Sequence, residues 1–227
     1  MPGLEQLPFA EVWFHAIDDA SWQVASAAAL AIGKTGLEAW TTDRTPDVVA
    51  FLEARGYEIV RRYVISELDV TSAAEPEPPS FELTTLAERP ELAHAVFDIA
   101  RESYSDQPGR PEQRIESFDE WRSWGLDPHP PDAYFVALEA GHALGYGFLN
   151  VEDGVWWNGF LAVARAARGR GVASSIKRAQ IDWAKANGVR AIRTANETRL
   201  VGMLELNRRL GYRPLYTEIV LRGPAAS

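Results

Sequence analysis

The chain has 227 residues, of which 46% are hydrophobic and 24% charged, a composition typical of a globular protein with a sizeable core. It has no cysteine, which excludes disulfides, a thiol nucleophile and thiolate metal sites, and a formal net charge of −9, which argues against a general nucleic-acid binder. The four histidines (His15, His94, His129, His142) are too scattered to predict a metal site. No run of about 18 apolar residues predicts a membrane span, and the N-terminus has no signal-peptide pattern. We therefore expect a cytoplasmic protein without a metal that binds neither nucleic acid nor membrane.

The first 71 residues predict a small module of alternating helices and strands. Apolar periodicity predicts a helix at 22–31, a strand at 37–41, a helix at 46–54 and strands over 59–70. Residues 72–80 are rich in proline and glutamate, which hold neither a helix nor an inner strand. The sequence therefore predicts a linker at 72–80.

Residues 81–227 predict a second, larger domain. It begins with a strand at 81–86, a helix at 91–103 and an irregular, acidic region at 110–131. Strands at 133–138, 143–151 and 155–163 follow, joined by short turns that indicate an antiparallel meander. A helix at 173–186, a strand at 189–194, a helix at 200–210 and a strand at 215–221 complete the chain. This order predicts an α/β fold in which helices flank a mixed sheet.

The order helix, strand, helix, strand occurs in both parts and indicates a weak internal repeat. The second helix of each copy ends in a similar way, at Arg55-Gly56-Tyr57 and at Leu210-Gly211-Tyr212, where glycine suits a left-handed helix cap. The first copy starts too late to include the strands that precede the first helix in the second copy. It therefore predicts a half module retained for packing.

The stretch RGRGVASS at residues 168–175, here called the glycine-arginine loop, opens the helix predicted at 173–186. Main-chain N–H groups at a helix start lack internal partners, glycines let a ligand approach closely, and arginines add positive charge. Residues 160–227 carry 13 Lys and Arg against 4 Asp and Glu, whereas the preceding 80 residues are acidic. The loop is therefore either an anion site or a solvent-exposed turn. The residues before the first copy's helix, 14–20, contain neither glycine nor arginine.

Two common phosphate motifs do not account for this loop. The chain contains no GxxxxGK string followed by Ser or Thr, which excludes a Walker loop. Gly169-x-Gly171-x-x-Ser174 loosely matches a dinucleotide fingerprint. However, an antiparallel meander precedes it and no acidic residue ends the following strand at Thr194.

Arg168-x-x-Gly171-x-Ala173 resembles the Arg/Gln-x-x-Gly-x-Gly/Ala loop of the GNAT superfamily of acyl-CoA-dependent acyltransferases. Its context is similar too. Leu161 and Val163 stand where that family has a splayed fourth strand. The motif Ile176-Lys177-x-x-x-Ile181-x-x-Ala184-x-x-x-Gly188 resembles its central helix. The stretch Thr194-Ala195-Asn196 and the motif Met203-x-x-x-Asn207-x-x-Leu210-Gly211-Tyr212 resemble its closing strand and helix. The resemblance covers about residues 81–222. It implies a GNAT-like, mostly antiparallel sheet at 81–227, preceded by a truncated GNAT-like module at 1–71.

The resemblance implies a function and a cofactor site. Acetyl-CoA would be the cosubstrate, and an amine of a small, cationic acceptor would attack it directly, in a monomer or homodimer. An alternative is a non-catalytic acyl-CoA-binding or sensor protein, and a weaker one is a purely structural tandem module. The implied cofactor-binding residues are Leu161, Ala162, Val163, Arg168, Gly169, Arg170, Gly171, Val172, Ala173, Ser174, Asn196 and Asn207.

The catalytic residues are less well defined, because this sequence departs from the family pattern. Asn207 stands where the family has a tyrosine that protonates the leaving thiolate, and Leu200 stands where it has an asparagine. Asn207 either hydrogen-bonds the sulfur or supports packing, and Tyr212 and Tyr216 are either substitute acids or core residues.

Two carboxylates are candidates for the general base. Glu152 lies in a stretch that also reads as a hairpin turn, and Asp106 follows the first long helix, where it either faces the acceptor or caps a turn. Aromatic residues that either line the acceptor wall or belong to the core are Tyr104, Trp121, Trp124 and Trp157.

Overall fold

The computed structural model describes residues 7–73, 80–104, 106, 115 and 117–226. The chain divides into two compact units, neither of which is continuous in sequence. Among the described residues, unit 1 contains those within Ser66–Thr194 and Gly202–Arg213, and unit 2 contains 7–65, Ala195–Val201 and 214–226. Within these ranges no helix is long and apolar enough to cross a membrane.

The elements follow one another in an alternating order. The strands are β1 (Phe9–Trp13), β2 (Gly36–Thr42), β3 (Glu58–Asp69), β4 (Glu82–Thr85), β5 (Tyr134–Glu139), β6 (His142–Glu152), β7 (Val155–Val163), β8 (Ala191–Glu197) and β9 (Arg213–Pro224). The helices are α1 (Asp19–Ala31), α2 (Pro46–Glu53), α3 (Ala93–Tyr104), α4 (Phe118–Gly125), α5 (Val172–Ala186) and α6 (Val201–Arg209).

Unit 1 is built on a sheet with the strand order β4-β5-β6-β7-β8. The pairs β4–β5, β5–β6 and β6–β7 are antiparallel, as the meander predicts, and β7–β8 is parallel. Helices α3 and α4 contribute to one buried cluster with Tyr134 and Tyr146, and α5 contributes to a second with Phe135 and Leu149. Neighbouring residues of a strand point to opposite faces, so the sheet is covered on both sides. The predicted α/β fold, a mixed sheet flanked by helices, is confirmed.

Unit 2 has the strand order β1-β2-β9-β3, with β1 parallel and β9 antiparallel to β2. The apolar faces of α1 and α2 pack on Leu37, Ala39 and Leu221 of the sheet. Glu38 on β2 forms ion pairs with Arg61 and Arg222, and its side chain is only 2% exposed. These two arginines compensate the carboxylate in the unit's interior.

Several sequence predictions differ from the structure. One strand, β1, precedes α1, whereas we predicted that the first copy starts too late to include the strands that precede the first helix in the second copy. Part of the region predicted to be irregular is helix α4, whose first turn is capped by the Ser117 hydroxyl accepting from the Glu120 N–H at 3.2 Å. Strand β8 extends to Glu197, beyond the predicted end at 194, and 59–70 form one strand instead of several. Residues 74–79 of the predicted linker, and 110–114 and 116 of the irregular region, lie outside the described residues.

Candidate functional site

Strand β7 leaves its neighbour β8 after a short contact. The two strands pair only at Trp156↔Ile192 and Trp157↔Arg193, while on its other edge β7 stays paired with β6 up to Val163. Main-chain groups that face away from β6 beyond Trp157 are therefore left for another partner. Three of the predicted cofactor-binding residues, Leu161, Ala162 and Val163, lie on this stretch.

A β-bulge interrupts β7 within the same stretch. Gly147 pairs with Leu161 but Leu149 pairs with Asn158, so β7 holds one more residue than β6 between these two pairs. The extra residue falls at Gly159 and Phe160. A Cβ on Gly159 would overlap the ring of Phe148, so only glycine fits without a shift of that ring. Bulges re-aim the main chain, and this one turns the edge of β7 just before the predicted binding residues.

The glycine-arginine loop joins β7 to α5 and exposes the helix N-terminus. Gly169 and Gly171 have φ angles of 76° and 89°, which favour glycine, and a Cβ at either position would meet only open space. Gly171 is the N-cap and supplies no side-chain acceptor. The first helical bond of α5 runs from the Ser175 N–H to the Gly171 carbonyl at 3.1 Å. The N–H groups of the first turn, Val172–Ser174, therefore point out of the helix end.

Two arginines of the loop are held by ion pairs at its edges. The Arg168 side chain donates to the Val163 carbonyl at 3.1 Å and pairs with Asp106 at 2.7 Å. Arg170 pairs with Glu139 at 2.5 Å. Both side chains remain more than 40% exposed. The loop thus combines open N–H groups, left-handed glycines and accessible guanidinium groups, which is the chemistry of an anion site.

The two candidate bases lie in different surroundings. Asp106 also pairs with Arg165 at 2.7 Å, and hydrogen bonds from Arg165 and Arg168 lower the pKa of Asp106 to about 2. A carboxylate with so low a pKa is a weak proton acceptor. Glu152 lies at the β6–β7 turn, where Asp153 and Gly154 have φ angles of 51° and 76°, and it accepts from the Asn150 amide at 2.7 Å. The structure therefore favours an ion-pair role for Asp106 and a turn position for Glu152.

Asn207, which stands at the family's acid position, and Tyr212, a candidate acid, both lie inside the protein. Asn207 on α6 is 2% exposed, and its carbonyl accepts from the Tyr212 N–H at 3.0 Å at the helix end. Tyr212 is 3% exposed and its hydroxyl bonds the Asn158 Oδ1 at 2.7 Å. Burial raises the pKa of Tyr212 well above its usual range, which weakens it as an acid. Asn196 lies on the part of β8 that belongs to unit 2, whereas the other predicted cofactor residues belong to unit 1.

Most of the predicted aromatic wall belongs to the core: Tyr104 and Trp121 are members of one buried cluster, and Trp124 packs against it. Trp121 is fully buried, at 1% exposure. Tyr104 lies against Phe160, with ring centroids 4.6 Å apart, and against Trp124 at 5.4 Å. Because Phe160 is part of the bulge, these rings lie next to the exposed edge of β7. Trp157 lies under the Arg193 guanidinium, 6.0 Å from the ring centroid.

Sequence reasoning missed a buried polar group beside the bulge. The Asn158 Oδ1 accepts from the Lys177 ammonium at 2.8 Å as well as from Tyr212, and its amide donates to the Gln180 Oε1 at 3.0 Å. We call these four residues the Asn158 network. Lys177 and Gln180 are 2% and 1% exposed, although they alternate with apolar residues of α5. A signal for them exists in the sequence, since Lys177 follows Ile176 and Gln180 precedes Ile181, two apolar residues of the predicted helix.

The described residues contain no group of three or more side chains arranged to hold a metal ion. A family model described as the Acetyltransferase (GNAT) family matches residues 93–212, more than half of the chain. The chain belongs to the GNAT acetyltransferase family. The matched range includes the splayed strand β7, the glycine-arginine loop and the Asn158 network.

Solved structures show the same fold at low sequence identity. The GCN5-related N-acetyltransferase from Sphaerobacter thermophilus matches with a TM-score of 0.68 and 20% identity over 85% of this chain and 60% of its own. A tandem GNAT protein from the clavulanic acid biosynthesis pathway matches with a TM-score of 0.67 and 19% identity over 92% of this chain and 70% of its own. A GCN5-related N-acetyltransferase from Kribbella flavida matches with a TM-score of 0.62 and 19% identity over 95% of this chain and 79% of its own. The chain thus spans three fifths of the length of the Sphaerobacter protein. No curated protein matches the sequence significantly.

Proposed function

We propose that this GNAT protein transfers an acetyl group from acetyl-CoA to the amino group of a small, cationic acceptor. Family membership supports acyl transfer from an acyl-CoA. The observation that carries the proposal is the uncapped, glycine-rich start of α5 directly after the exposed edge of β7. One end of this path suits a pyrophosphate and the other suits an extended amide chain.

The residues present fit acetyl-CoA. The N–H groups from Gly169 to Ser174 and the guanidinium groups of Arg168 and Arg170 would hold the pyrophosphate. Main-chain groups at Leu161–Val163 would pair with the pantetheine amides, as one strand pairs with another. When bound, acetyl-CoA supplies a thioester carbonyl: the acceptor nitrogen forms the new C–N bond, the C–S bond breaks, and the thiolate takes up a proton.

Water is the proposed source of the proton for the thiolate. An amide such as Asn207 has no proton to give at neutral pH, and Tyr212 is engaged with Asn158. The thiol of coenzyme A has a pKa of about 8 to 9 by analogy with cysteine, so its thiolate is a fair leaving group without an acid. Asn207 then contributes at most a hydrogen bond. Glu152 remains the candidate base for the ammonium of the acceptor.

The preference for a cationic acceptor rests on charge and aromatic residues. Residues 80–159 carry 15 Asp and Glu against 5 Lys and Arg. Phe160 lies in the bulge with Tyr104 against it, and aromatic faces attract ammonium groups. Both features attract a cation to the side of unit 1 that carries α3 and α4.

We further propose that residues 1–71 form a truncated GNAT-like module, followed by a linker at 72–80 and the acetyltransferase domain at 81–227. The order β1-α1-β2-α2-β3 parallels β7-α5-β8-α6-β9 and supports this repeat. The start of α1 differs from that of α5, because the Asp18 carboxylate accepts from the Ser21 N–H at 2.8 Å and completes a capping box. A carboxylate already occupies that helix end, so this module would not bind a second coenzyme.

A turnover assay tests the proposal. Purified protein is incubated with acetyl-CoA and a panel of diamines, amino sugars and aminoacyl compounds, and release of free thiol is followed. We expect amine-dependent release, and mass spectrometry should find one acetyl group added to the acceptor nitrogen. Tight acetyl-CoA binding with no turnover on a broad panel would instead indicate the non-catalytic acyl-CoA-binding alternative, and absence of binding would indicate a structural module.

A further inference from the structure

The Asn158 network occupies the point where β7 leaves β8. Asn158 follows Trp157, the last residue of β7 that pairs with β8, and precedes Gly159, where the bulge begins. Its side chain makes three hydrogen bonds of 2.7 to 3.0 Å, two to residues of α5 and one to Tyr212. These bonds use both Asn158 side-chain atoms that can hydrogen-bond, and so hold the side chain in one orientation.

The same network ties the bulge to the helix that begins at the glycine-arginine loop. Lys177 and Gln180 lie on α5, and the exposed N–H groups lie at the first turn of that helix. A rigid helix therefore connects the proposed pyrophosphate site to Asn158 and, through it, to the main chain that would face the thioester.

The buried ammonium of Lys177 does not favour the stability of the folded protein. In the described part of the chain its ammonium meets the Asn158 Oδ1 and the face of Tyr212, 5.0 Å from the ring centroid, but no carboxylate. Burial lowers its pKa to about 7, which shows that the surroundings disfavour the charged form. An apolar side chain of the same length would fill this space without that penalty.

We propose that Lys177, Gln180 and Tyr212 are positioning residues that hold Asn158, and thereby set the bulge of β7 at the distance from the glycine-arginine loop that acyl transfer requires. The inference rests on the proposed function, since it assumes that acetyl-CoA spans these two parts of the site. It assigns Tyr212 a role that differs from that of a general acid: its hydroxyl holds Asn158.

The variant Lys177→Met separates positioning from packing. It keeps the length of the side chain and removes the buried ammonium, so we expect the thermal midpoint to stay or to rise by about 2 °C or more. The Kd for acetyl-CoA should change less than about threefold, because the pyrophosphate site is intact, whereas kcat should fall by about tenfold to a hundredfold. Lys185→Met, on the same helix, is the matched control and should leave kcat unchanged. Wild-type kcat in Lys177→Met would overturn the proposal.

Tyr212→Phe is the second variant, and it tests the positioning role if Lys177→Met does not fold. Loss of one hydrogen bond to Asn158 should lower kcat by about threefold to tenfold at every pH. If instead the wild type shows a fall in kcat at alkaline pH that Tyr212→Phe no longer shows, Tyr212 is assigned as the acid, because phenylalanine has no proton to lose. No fall at any pH would contradict the positioning role.

Infrared spectroscopy of acetyl-CoA labelled with ¹³C at its thioester carbonyl gives a readout that does not need turnover. In the wild-type complex the carbonyl band should move to lower frequency, because main-chain donors on β7 polarise the bond. In Lys177→Met this displacement should shrink while binding persists. The wild type could be inactive on every amine and still show the displacement, with the variant losing it. That result would refute the proposed transfer but support the positioning role. Absence of any displacement in the wild type, or an equal one in the variant, would refute the positioning role itself.

Discussion

The buried ammonium of Lys177 should make the free energy of unfolding depend on pH in a specific window. Its pKa is about 7 in the folded protein and has an ordinary value of 10.5. Between these values the unfolded chain holds a proton that the folded protein has released. Because the unfolded state binds more protons there, the free energy of unfolding rises with pH from about 7 to about 10.5. Below that window the folded protein bears the full cost of burying the charged ammonium.

The magnitude follows from the size of the shift. Each pKa unit corresponds to about 1.4 kcal/mol, and the shift exceeds three units. Integration from about pH 7 to about pH 9 gives a gain in the free energy of unfolding of roughly 2 kcal/mol from this one group. For a protein whose total stability is about 5 to 15 kcal/mol, such a gain is measurable.

Urea unfolding followed by tryptophan fluorescence measures this gain. Other groups titrate as well: burial raises the pKa of Glu218 to about 7, so its own effect on stability is largely complete above that value. The quantity to compare is therefore the difference between wild type and Lys177→Met at about pH 7 and about pH 9. We expect Lys177→Met to be the more stable protein near pH 7 and its advantage in the free energy of unfolding to shrink by roughly 2 kcal/mol near pH 9. Lys185→Met should show no such change, and parallel pH dependences for wild type and Lys177→Met would refute the reasoning.

Four further predictions concern the site itself. Reversal of charge with Arg168→Glu and Arg170→Glu should weaken acetyl-CoA binding by roughly 1 to 3 kcal/mol in calorimetry, whereas Arg208→Glu on α6 should not; unchanged affinity in the loop variant would contradict the anion site. Calorimetry should also give one acetyl-CoA per chain, because the Asp18 carboxylate caps α1, and a stoichiometry of two would show that the first module is a working site. Asn207→Ala should lower kcat by no more than roughly tenfold and Asn207→Tyr should keep or raise it, whereas loss of all turnover in a folded Asn207→Ala that still binds acetyl-CoA would assign chemistry to the amide. Gly159→Ala should destabilise the protein and lower kcat, because its Cβ overlaps the Phe148 ring, while the matched Gly202→Ala on α6 has free space and should be neutral or stabilising in thermal melts.

The glycine-arginine loop was predictable because its chemistry is local. The glycines, the arginines and the start of α5 lie within eight residues, and the structure gives Gly169 and Gly171 the left-handed φ angles that suit glycine. The meander before the loop was predictable for the same reason, since each strand is a short apolar run and short turns separate the strands. The cap of α4 was visible too, as Ser117-x-x-Glu120, and apolar side chains follow it at helical spacing, at Phe118, Trp121 and Trp124; the prediction of an irregular region missed this signal.

The sequence by itself determined the order of the elements, the meander and the open helix start, because each depends on residues close together in the chain. Only the tertiary structure decided which polar residues are buried together. The Lys177 to Asn158 bond joins positions 19 apart in the sequence, and the Tyr212 to Asn158 bond joins positions 54 apart. The bulge likewise depends on the register of β7 against β6, and the role of Asp106 depends on two arginines about 60 positions away. No periodicity or spacing carries such information, because it arises only when distant segments pack and exclude water from the same space.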